Sequence, residues 1–123
     1  MSTITVTNIK ATGETASRAV SGVAAAWIDF DGTGTVEIKD SLNATSLVDN
    51  ATADYSFSYV SNMATTSYVT AFGGANPRGG TSWGKITTEK TRATGSMRVV
   101  SSSLNQTATD HEVCNTVFFG DLA

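Results

Sequence analysis

Apolar and polar residues alternate in short runs along most of the chain, and Gly, Asn, Asp or Ser interrupts the runs about every ten residues. Residues 35–39 show this most clearly, because Val36 and Ile38 would face a core while their neighbours face water. A period of two residues is typical of antiparallel strands with one buried face. Similar segments are Ile4–Thr7, Ala26–Phe30, Ser46–Asp49, Tyr55–Tyr59, Tyr68–Phe72, Lys85–Thr88, Met97–Val100 and Val113–Phe119.

The length and composition agree with an all-β fold. The chain has 123 residues, the size of one domain, and Thr and Val, which favour strands, occupy 20 and 11 positions. We expect an antiparallel β-sandwich or jelly-roll of about eight or nine short strands. Ten aromatic residues spread over that many strands make a thin core, so contacts between copies of the chain would add stability.

One segment, residues 14–26, departs from the strand pattern. Apolar side chains there and at the next position recur at the spacing of one helix face: Val20, Val23, Ala24 and Trp27. Gly22 interrupts this stripe and costs a helix about 1 kcal/mol relative to Ala. The segment is therefore a candidate for a short helix inside an otherwise β-rich chain.

The charge balance and the single cysteine limit the partners. Eight Lys and Arg against eleven Asp and Glu give a net charge of −3, so we expect no nucleic-acid partner. Ser and Thr fill 34 positions, which predicts a neutral, hydroxyl-rich surface. Cys114 has no cysteine to pair with, as suits assembly in a cytosol. The N-terminal residues do not resemble a secretion signal, and the apolar run 23–28 is too short for membrane insertion.

Three pairs of residues are candidates for a catalytic site, and for none of them does the sequence favour a catalytic role over a structural one. His111 and Cys114 are three apart, which on a strand places them on opposite faces, so we expect a buried Cys114 and a partly exposed His111. Asp29 and Asp31 would point the same way, but Asp31 is placed to initiate the turn at Gly32. Asp110 and Glu112 are the remaining acidic pair. We therefore expect no enzyme activity, no metal and no cofactor.

The loop that begins at Gly73 is the clearest sequence candidate for a binding surface. It is Gly-rich and polar, which predicts a surface loop rather than a core strand. An amide, a guanidinium, hydroxyls and an indole lie close together in it, at Asn76, Arg78, Thr81 and Trp83. This mixture suits a sugar that stacks on the indole, although Trp83 could equally anchor the loop on the core.

Three stretches in the first half of the chain resemble a known family. Residues 25–36 read AAWIDFDGTGTV, residues 39–50 read KDSLNATSLVDN and residues 54–57 read DYSF. This order is similar to the tail-fibre-type domain of bacteriophages, marine ones especially, over about residues 24–72. Asp29 and Asp31 stand where that family commonly has Asn, which argues against carboxylate chemistry. Ala51 and Ala53 replace its glycines, and a positive φ there would cost about 1 kcal/mol per residue.

The resemblance implies a phage virion surface protein of tail-fibre or receptor-binding type that adheres to the host cell without catalysis. It further implies a homotrimer, made in the host cytoplasm, whose partners are other virion proteins and a host receptor that includes glycans among its candidates. Residues 1–25 would form an attachment or oligomerisation segment, and residues 26–123 the β-sandwich domain. The expected oligomer contacts are Val20, Val23, Ala24 and Trp27, and the expected receptor contacts are Asn76, Arg78, Thr81 and Trp83.

Two other functions remain open at this point. The first is a capsid decoration or head-fibre protein, because fewer residues precede the resemblance than a fibre shaft would need. The second is a carbohydrate-binding module, which the hydroxyl-rich surface and the loop around Trp83 would suit. Position on the particle separates the first from a tail fibre, and glycan binding by the isolated protein tests the second.

Overall fold

The structure is a computed structural model that describes residues 1–9, 12, 18–19, 22–75, 85–103 and 107–123. Over these ranges the chain forms β-strands and no α-helix. The strands are β1 (Asn8–Ile9), β2 (Arg18–Ala19), β3 (Ala24–Asp31), β4 (Glu37–Leu42), β5 (Ala44–Ala51), β6 (Asp54–Tyr59), β7 (Val69–Ala75), β8 (Lys85–Arg92), β9 (Ser96–Ser103) and β10 (Val113–Phe119). The prediction of an all-β chain is confirmed.

Eight of these strands form two four-stranded antiparallel sheets. Sheet one has the order β4-β3-β10-β7 and sheet two the order β5-β6-β9-β8, while β1 and β2 form a separate two-stranded ribbon. The hairpins β3–β4, β5–β6 and β8–β9 each stay within one sheet. Of the two predicted arrangements, this strand order supports the sandwich-like one, because a jelly-roll sends most successive strands to opposite sheets.

The two sheets share one core that the alternation creates. Ala26, Ile28 and Phe30 of β3 are buried, and so are the alternate aromatic residues of β6, Tyr55, Phe57 and Tyr59. Phe118 of β10 lies between the sheets, with its ring centre 5.8 Å from Phe57, 5.4 Å from Tyr59 and 6.0 Å from Tyr68. Tilted and edge-to-face contacts of this kind add to the area that the rings bury. The thin core is thus concentrated around one aromatic cluster.

One strand prediction holds to the residue, and a second is one residue short. Strand β10 has the predicted bounds, Val113–Phe119, and β6 begins one residue before the predicted start at Tyr55. Val36 and Ile38 pack against the core while the side chains beside them are exposed. Sheet pairing therefore follows the period-two pattern where that pattern is cleanest.

Three local predictions are wrong. The helix expected over residues 14–26 is strand wherever it is described apart from a turn at 22–23, since Arg18–Ala19 and Ala24 onward pair in sheets. The N-terminal strand includes Asn8–Ile9 and not Ile4–Thr7. The loop expected from Gly73 begins later, because β7 continues to Ala75 in register with β10. At residues 24–26 and 73–75, pairing with β10 outweighs local propensity.

The chain crosses from sheet one to sheet two at a corner formed by Asn43. This residue has a φ of 54°, a left-handed conformation that Asn tolerates better than most residues. Its Nδ2 donates to the carbonyl oxygens of Ala25, at 3.2 Å, and Ser61, at 3.0 Å. Its Oδ1 accepts from Ser61 N at 2.6 Å. One amide side chain therefore joins β3 to the segment that follows β6.

An ion-pair cluster ties three strands of sheet two together on its outer face. Asp54 of β6 accepts from Arg98 of β9, with Nε–Oδ1 at 2.6 Å and Nη2–Oδ2 at 2.9 Å, and from Lys90 of β8, with Nζ–Oδ2 at 2.5 Å. The Arg98 hydrogen bonds, assisted by Lys90, hold the pKa of Asp54 at about 2, although burial acts in the opposite direction. Because Asp54 is buried, its negative charge carries a desolvation cost, and the two cations offset that cost.

Replacing Asn43 tests the corner. Asn43→Ala removes the three hydrogen bonds and places alanine in a left-handed conformation that is strained for it. We therefore expect a loss of about 2–3 kcal/mol in the free energy of unfolding. Asn43→Gly removes the same hydrogen bonds without backbone strain, and should lose about 1–2 kcal/mol. Urea unfolding measures both variants. Equal losses would show that the left-handed conformation carries no strain.

Replacing Asp54 tests the ion-pair cluster through pH. Because folding lowers the pKa of Asp54 from 3.8 to about 2, the stabilisation is complete above about pH 4 and is lost as pH falls towards 2. Asp54→Asn should lose about 2 kcal/mol of unfolding free energy at neutral pH and converge with the wild type near pH 2. Urea unfolding at several pH values measures this. Asp121→Asn, at an exposed site, is the matched control and should follow the wild type throughout.

Candidate functional site

The receptor contacts predicted from the sequence, Asn76, Arg78, Thr81 and Trp83, lie outside the described residues. The described part of the chain places a different set of side chains together, on the outer face of sheet one. Because Ile28 and Phe30 of β3 point into the core, the pleat turns Trp27 and Asp29 outward. The same alternation on β10 buries Thr116 and turns its neighbours outward.

The strand register arranges these outward side chains in two rows across sheet one. The apolar row consists of Leu42, Trp27, Val117 and Ala71, from β4, β3, β10 and β7. The polar row consists of Asp40, Asp29, Asn115 and Gly73, from the same four strands. Directly paired residues on neighbouring strands lie about 5 Å apart, so each row forms a continuous strip.

An open pocket of about 340 Å³ lies where the two rows meet on β3, β10 and β7. We call it the Trp27 pocket, and its outward-facing lining residues are Trp27, Asp29, Ala71, Gly73, Asn115 and Val117. Within the described ranges, the side chains of Trp27, Asp29 and Asn115 form no hydrogen bond. An indole N–H, a carboxylate and an amide are therefore available to a ligand in one place.

Gly73 shapes the edge of this pocket. A Cβ built at Gly73 would lie 2.0 Å from Oδ1 of Asn115, which real side chains do not allow. The Asn115 amide thus lies over the backbone of β7, in the space that a Cβ at position 73 would take, and any other residue there would force the amide to move. Pairing with β10 continues through this Gly-rich stretch, which the sequence predicts to be a loop.

The outer face of sheet two has a different character. Asp54, Arg98 and Lys90 are bound to one another there, and Asn50 donates from Nδ2 to Oγ of Ser56 at 2.7 Å. These groups are therefore partnered within the chain, whereas the indole, carboxylate and amide side chains of the Trp27 pocket form no hydrogen bond within the described residues. Of the two outer faces, sheet one has the surface that is chemically equipped to bind.

The acidic residues considered for catalysis are divided between structural and surface roles. Asp31 accepts from Thr33, at 2.6 Å from Oγ1 and 2.8 Å from N, and these bonds lower the pKa of its carboxyl. The predicted turn at Asp31 is confirmed. Asp29 is half-buried in the Trp27 pocket. Glu112 is exposed.

Asp110 fastens one end of the sandwich. Its Oδ1 accepts from Ala53 N at 2.6 Å and lies 2.6 Å from the hydroxyl of Tyr55, which is also 2.9 Å from the carbonyl of Gly32. Burial and the neighbouring carboxylate raise the pKa of Tyr55. Ala53 has a φ of 61°. Of the two alanines for which a positive φ is considered from the sequence, Ala51 and Ala53, only Ala53 adopts it. The carboxylate of Asp110 thus holds a strained turn in place.

His111 and Cys114 are both buried. Cys114 is 1% exposed, as predicted, and its thiol donates to the His111 carbonyl oxygen at 3.6 Å. His111 is 3% exposed, so the prediction of a partly exposed residue is wrong. The reason is that His111 lies before β10, in a segment that covers the end of the core. The His111 backbone carbonyl oxygen accepts a hydrogen bond from Gly32 N at 2.8 Å.

Of the predicted oligomer contacts, Val20 lies outside the described residues, and the other three do not share a helical face. Val23 is exposed ahead of β3, and Ala24 and Trp27 are on β3 itself. A strand places residues three apart on opposite faces, so Ala24 and Trp27 do not form the apolar stripe that helical spacing predicts.

Sequence reasoning missed four residues of the Trp27 pocket: Ala71, Gly73, Asn115 and Val117. They come from β7 and β10, which lie more than forty positions from Trp27 along the chain. Asn115 carried one usable signal, as a polar residue between the buried Cys114 and Thr116 in a strand predicted with the right bounds. That signal does not predict that β10 pairs with β3.

The contact between Gly73 and Asn115 gives a double-mutant test. Gly73→Ala should lower the free energy of unfolding by about 1–3 kcal/mol, because the new methyl group overlaps the Asn115 amide. In the Asn115→Ala background the same change should cost about 1 kcal/mol less, since the obstructing amide is gone. Urea unfolding of the four proteins measures the coupling. Purely additive losses would show that Asn115 does not lie over Gly73.

Over the described residues, no helix is long and apolar enough to span a membrane. The same residues contain no group of three or more His, Cys, Asp or Glu side chains placed to hold a metal ion. Models of protein families, curated proteins and solved structures contain no match to the chain.

Proposed function

We infer that the chain is an adhesion module of a phage virion and binds a host surface receptor through the outer face of sheet one, without catalysis. The observation that carries this proposal is the Trp27 pocket, where an indole, a carboxylate and an amide that form no side-chain hydrogen bond within the described residues face solvent. Exposed aromatic and polar side chains on a rigid scaffold are typical of recognition surfaces.

The segment that resembles phage fibre domains supports the same surface. Residues 24–72 span β3 to β6 and most of β7, and β3 contributes Trp27 and Asp29 to the pocket. The sheet beneath them is held by pairing with β10 on one side and β4 on the other. The pocket is therefore preorganised on strands, which lowers the ordering cost of binding.

The non-catalytic part of the proposal is supported by the use of the acidic residues. Asp31 is engaged by Thr33, and Asp110 is engaged by Ala53 and Tyr55. Acid–base hydrolysis of a glycosidic bond needs two carboxyl groups that face one cleft. Asp29 is the acidic residue among those that line the Trp27 pocket, and its neighbour Asp40 on β4 lies outside that lining and accepts from Ser41 N at 2.8 Å.

The proposal includes a homotrimer on the virion, held through residues 1–25. The apolar side chains of Ile4 and Val6 are 84% and 47% exposed, and Val23 is 47% exposed, so a partner would remove apolar area from water. Trp27 cannot be buried between copies and bind a receptor at the same time. Sedimentation of the wild type and Trp27→Ala separates these roles, since a receptor role predicts an unchanged mass.

Adhesion is tested with fluorescently labelled protein and a panel of bacterial cells, measured by flow cytometry, beside immunogold electron microscopy of phage particles. We expect gold on the particles and cell binding that falls at least about tenfold in Trp27→Ala. Val60→Ala, which removes an exposed apolar side chain beside sheet two, should bind like the wild type. Absence of gold from the particles, or equal binding by Trp27→Ala, would refute the proposal.

A further inference from the structure

We propose that the Trp27 pocket is a subsite for one uncharged pyranose residue of a glycan, with the sugar ring stacked on Trp27 and its hydroxyls bound by Asp29 and Asn115. This inference rests on the proposed function, of which it names the ligand class. It moves the sugar contact from the loop around Trp83 to the face of sheet one.

Trp27 supplies the platform for the ring. A pyranose has one face of C–H groups, which packs favourably on an indole. Trp27 is half-buried between Leu42 of β4 and Val117 of β10, its direct partners across the sheet. Neighbours on both sides restrict the indole, so little side-chain entropy is lost when a ring binds to it.

Asp29 and Asn115 supply the polar contacts at the edge of that ring. They are direct partners across β3 and β10, one position beyond Trp27 and Val117 in the register. Such partners lie about 5 Å apart, so both can reach hydroxyl groups of a single sugar. The carboxylate accepts from hydroxyls, and the amide both donates and accepts, which matches the hydroxyl groups of a sugar.

The charges around the pocket favour an uncharged ligand. Asp40 is the direct partner of Asp29 across β4, so the polar row carries two carboxylates side by side. The lining residues include no Lys or Arg. Lys39 interacts electrostatically with Asp29, but its ammonium is bound to Glu37, with Nζ–Oε2 at 2.6 Å, and lies 3.9 Å from Asp31 Oδ2. Sialic acids, uronic acids and phosphorylated sugars would be repelled by this arrangement.

The size and openness of the pocket favour a single ring. A volume of about 340 Å³ is near the lower end for small-molecule sites. Over the described residues the pocket is open to solvent at the sheet face, so the rest of a glycan chain can leave it there. A smooth glycan surface displaying many identical terminal sugars would suit several copies of the chain, because avidity multiplies a weak single contact.

The test uses an array of immobilised glycans with neutral hexose, neutral N-acetylhexosamine, sialic acid and glucuronic acid termini, probed with the full labelled chain. Calorimetry with the methyl glycoside of the best sugar measures the single site. We expect binding to neutral termini only. Trp27→Ala should weaken it at least about 30-fold, and Asp29→Ala and Asn115→Ala about fivefold each. Trp27→Phe should recover part of the loss.

Ser58→Ala, on the outer face of sheet two, is the matched control and should bind like the wild type. Circular dichroism and urea unfolding of every variant separate lost binding from lost fold. If Trp27→Ala is unfolded, the Asp29 and Asn115 variants still decide the matter.

The possible outcomes separate this inference from the proposed function. Cell adhesion that depends on Trp27, with no glycan bound on the array, would overturn the sugar subsite and leave adhesion intact. Neutral sugar binding that depends on Trp27, with no gold on virions, would support the subsite and overturn the virion role. Binding restricted to acidic termini, sugar binding unaffected by Trp27→Ala, or dissociation of oligomers in Trp27→Ala would each overturn the subsite.

Discussion

The packing of two pleated sheets around the Phe118 cluster is the constraint on which the rest of this structure depends. Phe118 touches three aromatic rings from both halves of the core, and this fixes which face of β10 is inside. Once that face is fixed, the two-residue period leaves no choice for the neighbours. Asn115 and Val117 must face solvent, and through the register with β3 so must Asp29 and Trp27.

The outer faces of the two sheets differ in their chemistry. On sheet two, the buried carboxylate of Asp54 on β6 forms ion pairs with Arg98 of β9 and Lys90 of β8. These ion pairs offset the desolvation cost of burying its charge. Sheet one keeps an indole, a carboxylate and an amide without such partners in the described part of the chain. The ion pairs and the groups that we propose to bind a ligand thus lie on opposite sides of one core, so a ligand on sheet one would not disturb the ion pairs of sheet two.

The sequence predicted β10 to the residue and β6 nearly so, because both alternate strictly between buried and exposed positions. It failed at Gly73, whose composition is typical of a loop, and at residues 24–26, whose spacing fits a helix stripe as well as a strand. In both places β10 decided the outcome. Its pairing with β7 and β3 provides ladder hydrogen bonds that local propensity, worth about 1 kcal/mol per residue at most, does not outweigh.

The sequence alone therefore determined the class of the fold and the inward face of its best strands, since periodicity is a local property that each segment carries by itself. It also determined the turn at Asp31 and the burial of Cys114, which depend on near neighbours. Only the tertiary structure decided that Trp27 and Asp29 would meet Asn115 and Gly73. The strand order β4-β3-β10-β7 brings the two ends of the domain together, and no local pattern encodes which strands become neighbours.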